Sequence, residues 1–251
     1  MAKIIAVVSG KGGTGKSTVS AALALALAKL GKSVLAADLD AGLRSLDLLL
    51  GMEDRVVYDL GDVLAGRCEL SAALTAHGAF PRLGLLCAPA LPTPAGGGED
   101  FPGLTAALRA AAQGFEYAIL DLPAGLGFAL PIARELADLA VVVATPDLVT
   151  MRDARRTVDM LFCDGRKPCR LVINKVSRET MLAGGLRDLD EMMDVVGAPL
   201  LGVIPADEFI SAPLLGTQGR KCRRAELTGE IFAAMARRIT GEYVPLLLRT
   251  V

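Results

Sequence analysis

Near its start the chain runs through the uncharged stretch Ile4 to Ser9 directly into Gly10-Lys11-Gly12-Gly13-Thr14-Gly15-Lys16-Ser17-Thr18. The first stretch reads as a buried strand. The Ala/Leu-rich segment Ser20 to Leu30, ended by Gly31, reads as a helix. The pattern G-x-x-x-x-G-K-[ST] between a strand and a helix narrows the possible folds sharply. Its glycines let successive backbone N–H groups turn toward one centre, and the helix adds the positive end of its dipole. Gly12, Gly13, Thr14 and Gly15 form the turn, and Lys16 carries the charge that reaches the outer phosphates of a polyphosphate. Ser17 offers a hydroxyl to Mg2+, and Thr18 is placed to touch the α-phosphate.

Further apolar runs follow at Val34 to Ala37, Leu83 to Cys87, Tyr117 to Leu120, Leu139 to Ala144, Leu171 to Ile173 and Leu200 to Ile204. Helical patterns or loops separate most of them. The runs are continuous rather than alternating, as a parallel sheet covered on both faces requires, and such strands are joined by right-handed β-α-β crossovers. The expectation is an α/β fold: a doubly wound, mostly parallel sheet of seven to eight strands with helices on both faces. No repeat or charged tail divides the chain, and the Pro/Gly-rich segment Pro89 to Gly98 is short enough for a surface loop. One domain over residues 1–251 is expected, with 241–251 as a C-terminal tail.

Composition excludes several classes of partner. Lys plus Arg number 27 and Asp plus Glu 28, so any polyanion site must be local rather than a property of the whole surface. The charge-free stretch Leu83 to Gly98 is interrupted by Pro89, Pro92 and Pro94, far from the roughly 20 continuous apolar residues of a membrane span. The opening residues do not make a secretory signal, so a cytoplasmic chain is expected. Cys68, Cys87, Cys163, Cys169 and Cys222 contain no C-x-x-C pair, which fits reduced thiols that fill space. His77 stands apart from any Cys or acidic partner in sequence.

Lys11 is unusual for a simple phosphate loop. Lys11-Gly12-Gly13-x-Gly15-Lys16-Ser17 resembles the deviant Walker A motif of the ParA/MinD superfamily of P-loop ATPases. Further similarity, closest to the MinD branch, lies in Asp38-Leu39-Asp40-Ala41-Gly42-Leu43-Arg44-Ser45-Leu46-Asp47, Arg55-Val56-Val57-Tyr58-Asp59-Leu60, Asp121-Leu122-Pro123-Ala124-Gly125 and Leu201-Gly202-Val203-Ile204-Pro205. The resemblance spans residue 3 to about 240. It implies an Mg2+-dependent ATPase that forms a homodimer around ATP and serves as a spatial switch in division-site placement. Lys11 would then reach the partner subunit's nucleotide, where a cation stabilises the charge developed in phosphoryl transfer. Partners implied are a division inhibitor and an activator (MinC- and MinE-like), with peripheral contact at the inner face of the cell membrane.

The same resemblance assigns the carboxylates. Asp40 would orient or deprotonate the attacking water, and Asp38 would support the Mg2+ shell, both in a first switch segment. Asp121, at the end of an apolar run, sits where a carboxylate holds Mg2+ through water. Pro123 and Gly125 begin a second switch. Asn174 and Lys175, with Pro205 and Asp207, would form the adenine pocket.

The chain departs from this pattern at its end. Members that cycle on membranes close with a basic amphipathic helix, whereas here Ile231, Phe232, Met235 and Ile239 form a core-type stripe and Pro245 precedes only Leu246 to Leu248. Arg155 stands where an acidic residue is usual on the partner-binding helix. The cluster Arg220, Lys221, Arg223, Arg224 is read as a solvated face. Three other readings stay open at this point: a ParA-type partition or cargo-positioning ATPase that binds DNA non-specifically, a nucleotide-dependent interaction module with little turnover, and a metal-cluster carrier, against which the lack of a C-x-x-C pair speaks.

Overall fold

A computed structural model describes residues 1–41, 44–89, 101–162, 168–185, 188–206 and 223–246. Asp207, Arg220, Lys221, Cys163, Cys222 and the Leu247-Leu248 pair lie outside the described residues, as do the side chains of Arg223 and Arg224. All seven apolar runs are strands: β1 (Lys3–Val8), β2 (Val34–Asp38), β4 (Leu83–Leu86), β5 (Tyr117–Asp121), β6 (Leu139–Ala144), β7 (Cys169–Val176) and β8 (Leu200–Pro205). An eighth, β3 (Thr75–Ala76), pairs antiparallel with β4 at one edge; the other pairings are parallel. The order across the sheet is β3-β4-β2-β5-β1-β6-β7-β8.

Side chains on successive strand residues leave on opposite faces, and both faces are buried. Ile5 and Val7 join one core, with α1 (Lys16–Lys29), α2 (Leu46–Leu49) and α10 (Arg223–Ile239). Ile4, Ala6 and Val8 join the other, with α5 (Phe101–Ala112), α6 (Ala129–Leu136), α7 (Leu148–Phe162) and α9 (Leu189–Val196). Shorter helices are α3 (Leu60–Leu64), α4 (Leu70–Ala73) and α8 (Arg178–Ala183). Helix α1 is apolar on all sides because it is enclosed by β2, β5, α2 and α10. Leu23 in its middle has no exposed surface, and truncation to Ala is expected to cost about 2–5 kcal/mol.

One expectation changes in detail. Helix α1 begins at Lys16 rather than Ser20, because the glycine turn itself leads into the first helical turn. The C-terminal stripe is core-facing as read, with Ile231, Phe232, Met235 and Ile239 all buried. Its helix runs from Arg223 to Ile239. No helix among the described residues is long and apolar enough to cross a membrane.

β1 lies between β5 and β6. The chain leaves it toward β2 on one side and later passes from β5 across it to β6 on the other, so the strand order reverses here. Ligands of open α/β sheets bind at such a switch point, outside the carboxyl ends of the strands. The glycine turn leaves β1 at that edge.

Candidate functional site

Gly10 to Gly15 arch from β1 into α1. Gly13 (φ 80°) and Gly15 (φ 88°) adopt the left-handed conformation that side chains disfavour. A Cβ at Gly15 would also collide with Asn174 Nδ2, so this position disfavours a side chain on two counts. Lys11, Gly12 and Gly13 are exposed, Thr14 is buried, and Ser17 and Thr18 sit half-buried in the first turn of α1.

Beneath the turn lies a buried charge cluster. Lys16 Nζ donates to Asp121 Oδ1 at 2.9 Å, with side-chain exposures of 6% and 0%. Ser20 Oγ lies 2.8 Å from the same oxygen as a second donor. Burying an ion pair is worthwhile only when hydrogen bonds complete its shell, and this shell is incomplete. Asp121 Oδ2 and Thr14 Oγ1 are buried with no hydrogen-bond partner among the described residues. An orphaned carboxylate oxygen and an orphaned hydroxyl at the strand-end edge are the donor set that hydrated Mg2+ and a phosphate can satisfy. The residues present fit that group.

Asp38 is the parallel-register partner of Asp121. Its Oδ1 accepts from Asp40 N at 3.0 Å, and its Oδ2 from Ser45 N and Leu46 N at 2.9 Å each. Burial, followed by the Asp121 charge, pushes its pKa up to about 6 against the pull of these three N–H groups. Asp38 thus fixes the backbone of the segment that carries Asp40 and starts α2. Asp40 itself is half-buried just past the strand end. The segment after β5 is tied to the start of the turn through Gly125 N, which donates to Ser9 O at 3.0 Å.

An open cleft of about 400 Å3 flanks the turn, with Lys11, Gly12, Gly13 and Thr14 on one side and Asp147 and Lys175 among the residues opposite. Lys175 Nζ donates to Gly13 O at 2.7 Å, and Asn174 Nδ2 to Thr14 O at 2.8 Å. Of the expected base-pocket residues, Lys175 lines the cleft while Asn174 sits behind the turn. Pro205 ends β8 opposite Val176, and Asp207 lies outside the described residues.

Sequence reasoning passed over two groups. Ser20 stands one helical turn after Lys16 in an otherwise apolar helix, which is the signal that marks it. Asp147 and its partners open α7: Thr145 Oγ1 and Thr150 Oγ1 lie 2.7 and 2.8 Å from Asp147 Oδ2, and Thr150 N donates to Oδ1 at 2.9 Å. Burial works to raise the Asp147 pKa, but these hydrogen bonds and the charge of Lys11 hold it below the ordinary value. The Asp-x-x-Thr spacing is a helix-start signature.

Other polar residues are structural. His77 Nδ1 accepts from Ala79 N and Phe80 N at 3.1 Å, leaving its Nε2 to donate to Leu50 O at 3.1 Å. Burial pushes the Cys87 and Cys169 thiols up to about 12 and about 11, so neither is a ready nucleophile. Arg155 pairs with Asp159 at 2.9 Å on the exposed face of α7.

Comparison with known proteins agrees with this geometry. The pattern of the CobQ/CobB/MinD/ParA nucleotide binding domain matches residues 5–217. The septum site-determining protein MinD of Bacillus subtilis is 37% identical over 250 residues, covering 98% of this chain and 92% of the relative. Among solved structures, the MinC:MinD cell division protein complex of Aquifex aeolicus superposes with a TM-score of 0.82 at 31% identity, covering 98% of both chains. MinD of Pyrococcus horikoshii, solved with Mg-ADP, gives a TM-score of 0.77 at 29% identity, covering 95% of this chain and 96% of that one. With a matching pattern over most of its length and MinD proteins as near relatives, the chain belongs to the CobQ/CobB/MinD/ParA family of nucleotide-binding domains.

Proposed function

We propose that the chain is an Mg2+-dependent ATPase of the MinD type, which dimerises around ATP and uses the nucleotide cycle as a spatial switch in division-site placement. The observation that carries this reading is the buried Lys16–Asp121 pair, left one carboxylate oxygen short beneath a left-handed glycine turn. The Mg-ADP in the Pyrococcus horikoshii relative supports the same ligand class here.

Gly12, Gly13, Thr14 and Gly15 cradle the phosphates, and a γ-phosphate competes with Asp121 for the Lys16 ammonium. Ser17 and Asp121, with Asp38 behind them, would hold Mg2+, whose positive charge screens the phosphate oxygens when bound. Asp40 orients the attacking water and accepts its proton. Lys11 is exposed on the rim of the cleft, so its ammonium is available to a second subunit's nucleotide. Turnover then depends on association, and the energy of ATP is spent on dimer formation and release. The solved MinC complex of the Aquifex relative supports a MinC-like partner for this chain.

The test is phosphate release measured against protein concentration, with and without Mg2+, alongside light scattering. Activity per subunit is expected to rise with concentration and to need Mg2+. Calorimetry showing no heat with Mg-ATP, or a monomer at every concentration in its presence, overturns the proposal. ATP-dependent sedimentation with anionic liposomes separates membrane action from a role in solution.

A further inference from the structure

The end of β7 spends its polar groups on the phosphate loop. Asn174 is only 4% exposed; its Nδ2 donates to Thr14 O at 2.8 Å and its Oδ1 accepts from Lys175 N at 2.9 Å. Lys175 Nζ reaches the preceding loop carbonyl, Gly13 O, at 2.7 Å. Two successive carbonyls of the loop are therefore held by one dipeptide.

In a trans peptide the C=O and the following N–H point in opposite directions. Holding Gly13 O and Thr14 O toward β7 turns the N–H groups of Thr14 and Gly15 away from it. Glycines at 13 and 15 would otherwise let these peptides rotate with little penalty.

The strand end is shaped for this contact. The β7–β8 register is irregular between Ile173 and Val176, and Lys175 takes a left-handed φ of 59° that is rare for a residue with a side chain. Its carbonyl is held in turn by Thr180 Oγ1 at 3.0 Å. Gly15 carries no Cβ where one would collide with the Asn174 amide.

We infer that Asn174 and Lys175 are positioning residues that lock the loop peptides for a polyphosphate, so that the phosphate grip itself depends on the end of β7. This rests on the nucleotide reading above and adds to it. Asn174 retains one N–H and one acceptor site, so bracing the loop and reading the base are separated by a ligand that has no base.

The experiment is calorimetry of wild type, Asn174→Ala, Lys175→Met and Lys175→Arg with Mg-ATP, Mg-GTP and Mg-tripolyphosphate. Asn174→Ala is expected to weaken ATP and tripolyphosphate by the same factor, about tenfold, with the ATP-to-GTP ratio unchanged. Asn174 is uncharged, so that loss is not coulombic. Lys175→Met should also weaken both ligands, and Lys175→Arg, which keeps a donor, should recover most of the binding. A loss confined to ATP, a changed ATP-to-GTP ratio, or tripolyphosphate binding untouched in both Asn174→Ala and Lys175→Met overturns the inference. Should Asn174→Ala fail to fold, the exposed Lys175 side chain carries the same comparison. Wild type that takes up none of the three ligands removes the nucleotide reading, and this inference with it.

Discussion

Strands β2 and β5 run between two charged edges that differ in kind. At their amino ends Glu116 gathers Lys32 Nζ at 3.2 Å, Ser33 N at 2.8 Å and Arg82 Nη2 at 3.3 Å, all in contact with solvent. At their carboxyl ends Asp38 and Asp121 are wholly buried beside Lys16. Solvated pairs are worth little and can be exchanged, whereas breaking a buried pair strands a charge in a medium that cannot hydrate it. The amino edge can complete its hydrogen bonds with solvent. The carboxyl edge leaves Asp121 Oδ2 and Thr14 Oγ1 open, and this asymmetry marks it as the edge kept for a ligand.

The largest break in that contrast is Lys16→Ala. Nucleotide binding should be abolished and stability should fall by about 3–5 kcal/mol, since Asp121 loses its counter-ion; calorimetry and denaturant melts read the two losses. If the variant melts like wild type, the buried edge is no more costly than the solvated one. Lys11→Ala, on the rim, should leave Mg-ATP binding intact while lowering turnover on the order of 10³-fold, the scale of a cation supplied in the transition state. Phosphate release at high protein concentration checks this, and full activity per subunit would remove the in-trans role. Asp40→Ala should bind Mg-ATP and hydrolyse it about 10²-fold more slowly. Loss of binding as well would make Asp40 a structural residue.

The smallest effect belongs to the solvated edge. The backbone N–H of Ser33, then Lys32, holds the Glu116 carboxyl below its ordinary 4.5. A lowered folded-state pKa means stability present above 4.5 that disappears as pH falls through the folded value. Glu116→Gln should therefore melt slightly below wild type at pH 7, and the gap should close on acidification. A gap that widens toward low pH would contradict the assignment.

The strands were legible because burial on both faces leaves continuous apolar runs, and the phosphate loop because its backbone needs glycine at fixed positions. β3 was not visible: two residues joined antiparallel at an edge leave no periodicity to read. The start of α1 was misjudged because propensity sees Ala and Leu, while the helix begins in the turn that precedes them. At the strand ends Lys16 pairs with Asp121, and Asp38 stands beside Asp121 in the register. What each side chain touches was not legible. That Asp38 spends its oxygens on three backbone N–H groups, or that Ser20 reaches Asp121, depends on distances between segments far apart in the chain.

The strand pairing also sets an order of assembly. β1 sits in register with Tyr117 to Asp121 on one side and Leu139 to Val142 on the other, and it has no sequence-near partner. During synthesis the first strand meets its first partner only when nearly half of the chain has been made, and its second only after more than half. The two loop carbonyls wait longer still, for the arrival of Asn174 and Lys175. The segment translated earliest is thus among the last to acquire its shape, so a nascent chain halted before residue 174 should be unable to retain nucleotide.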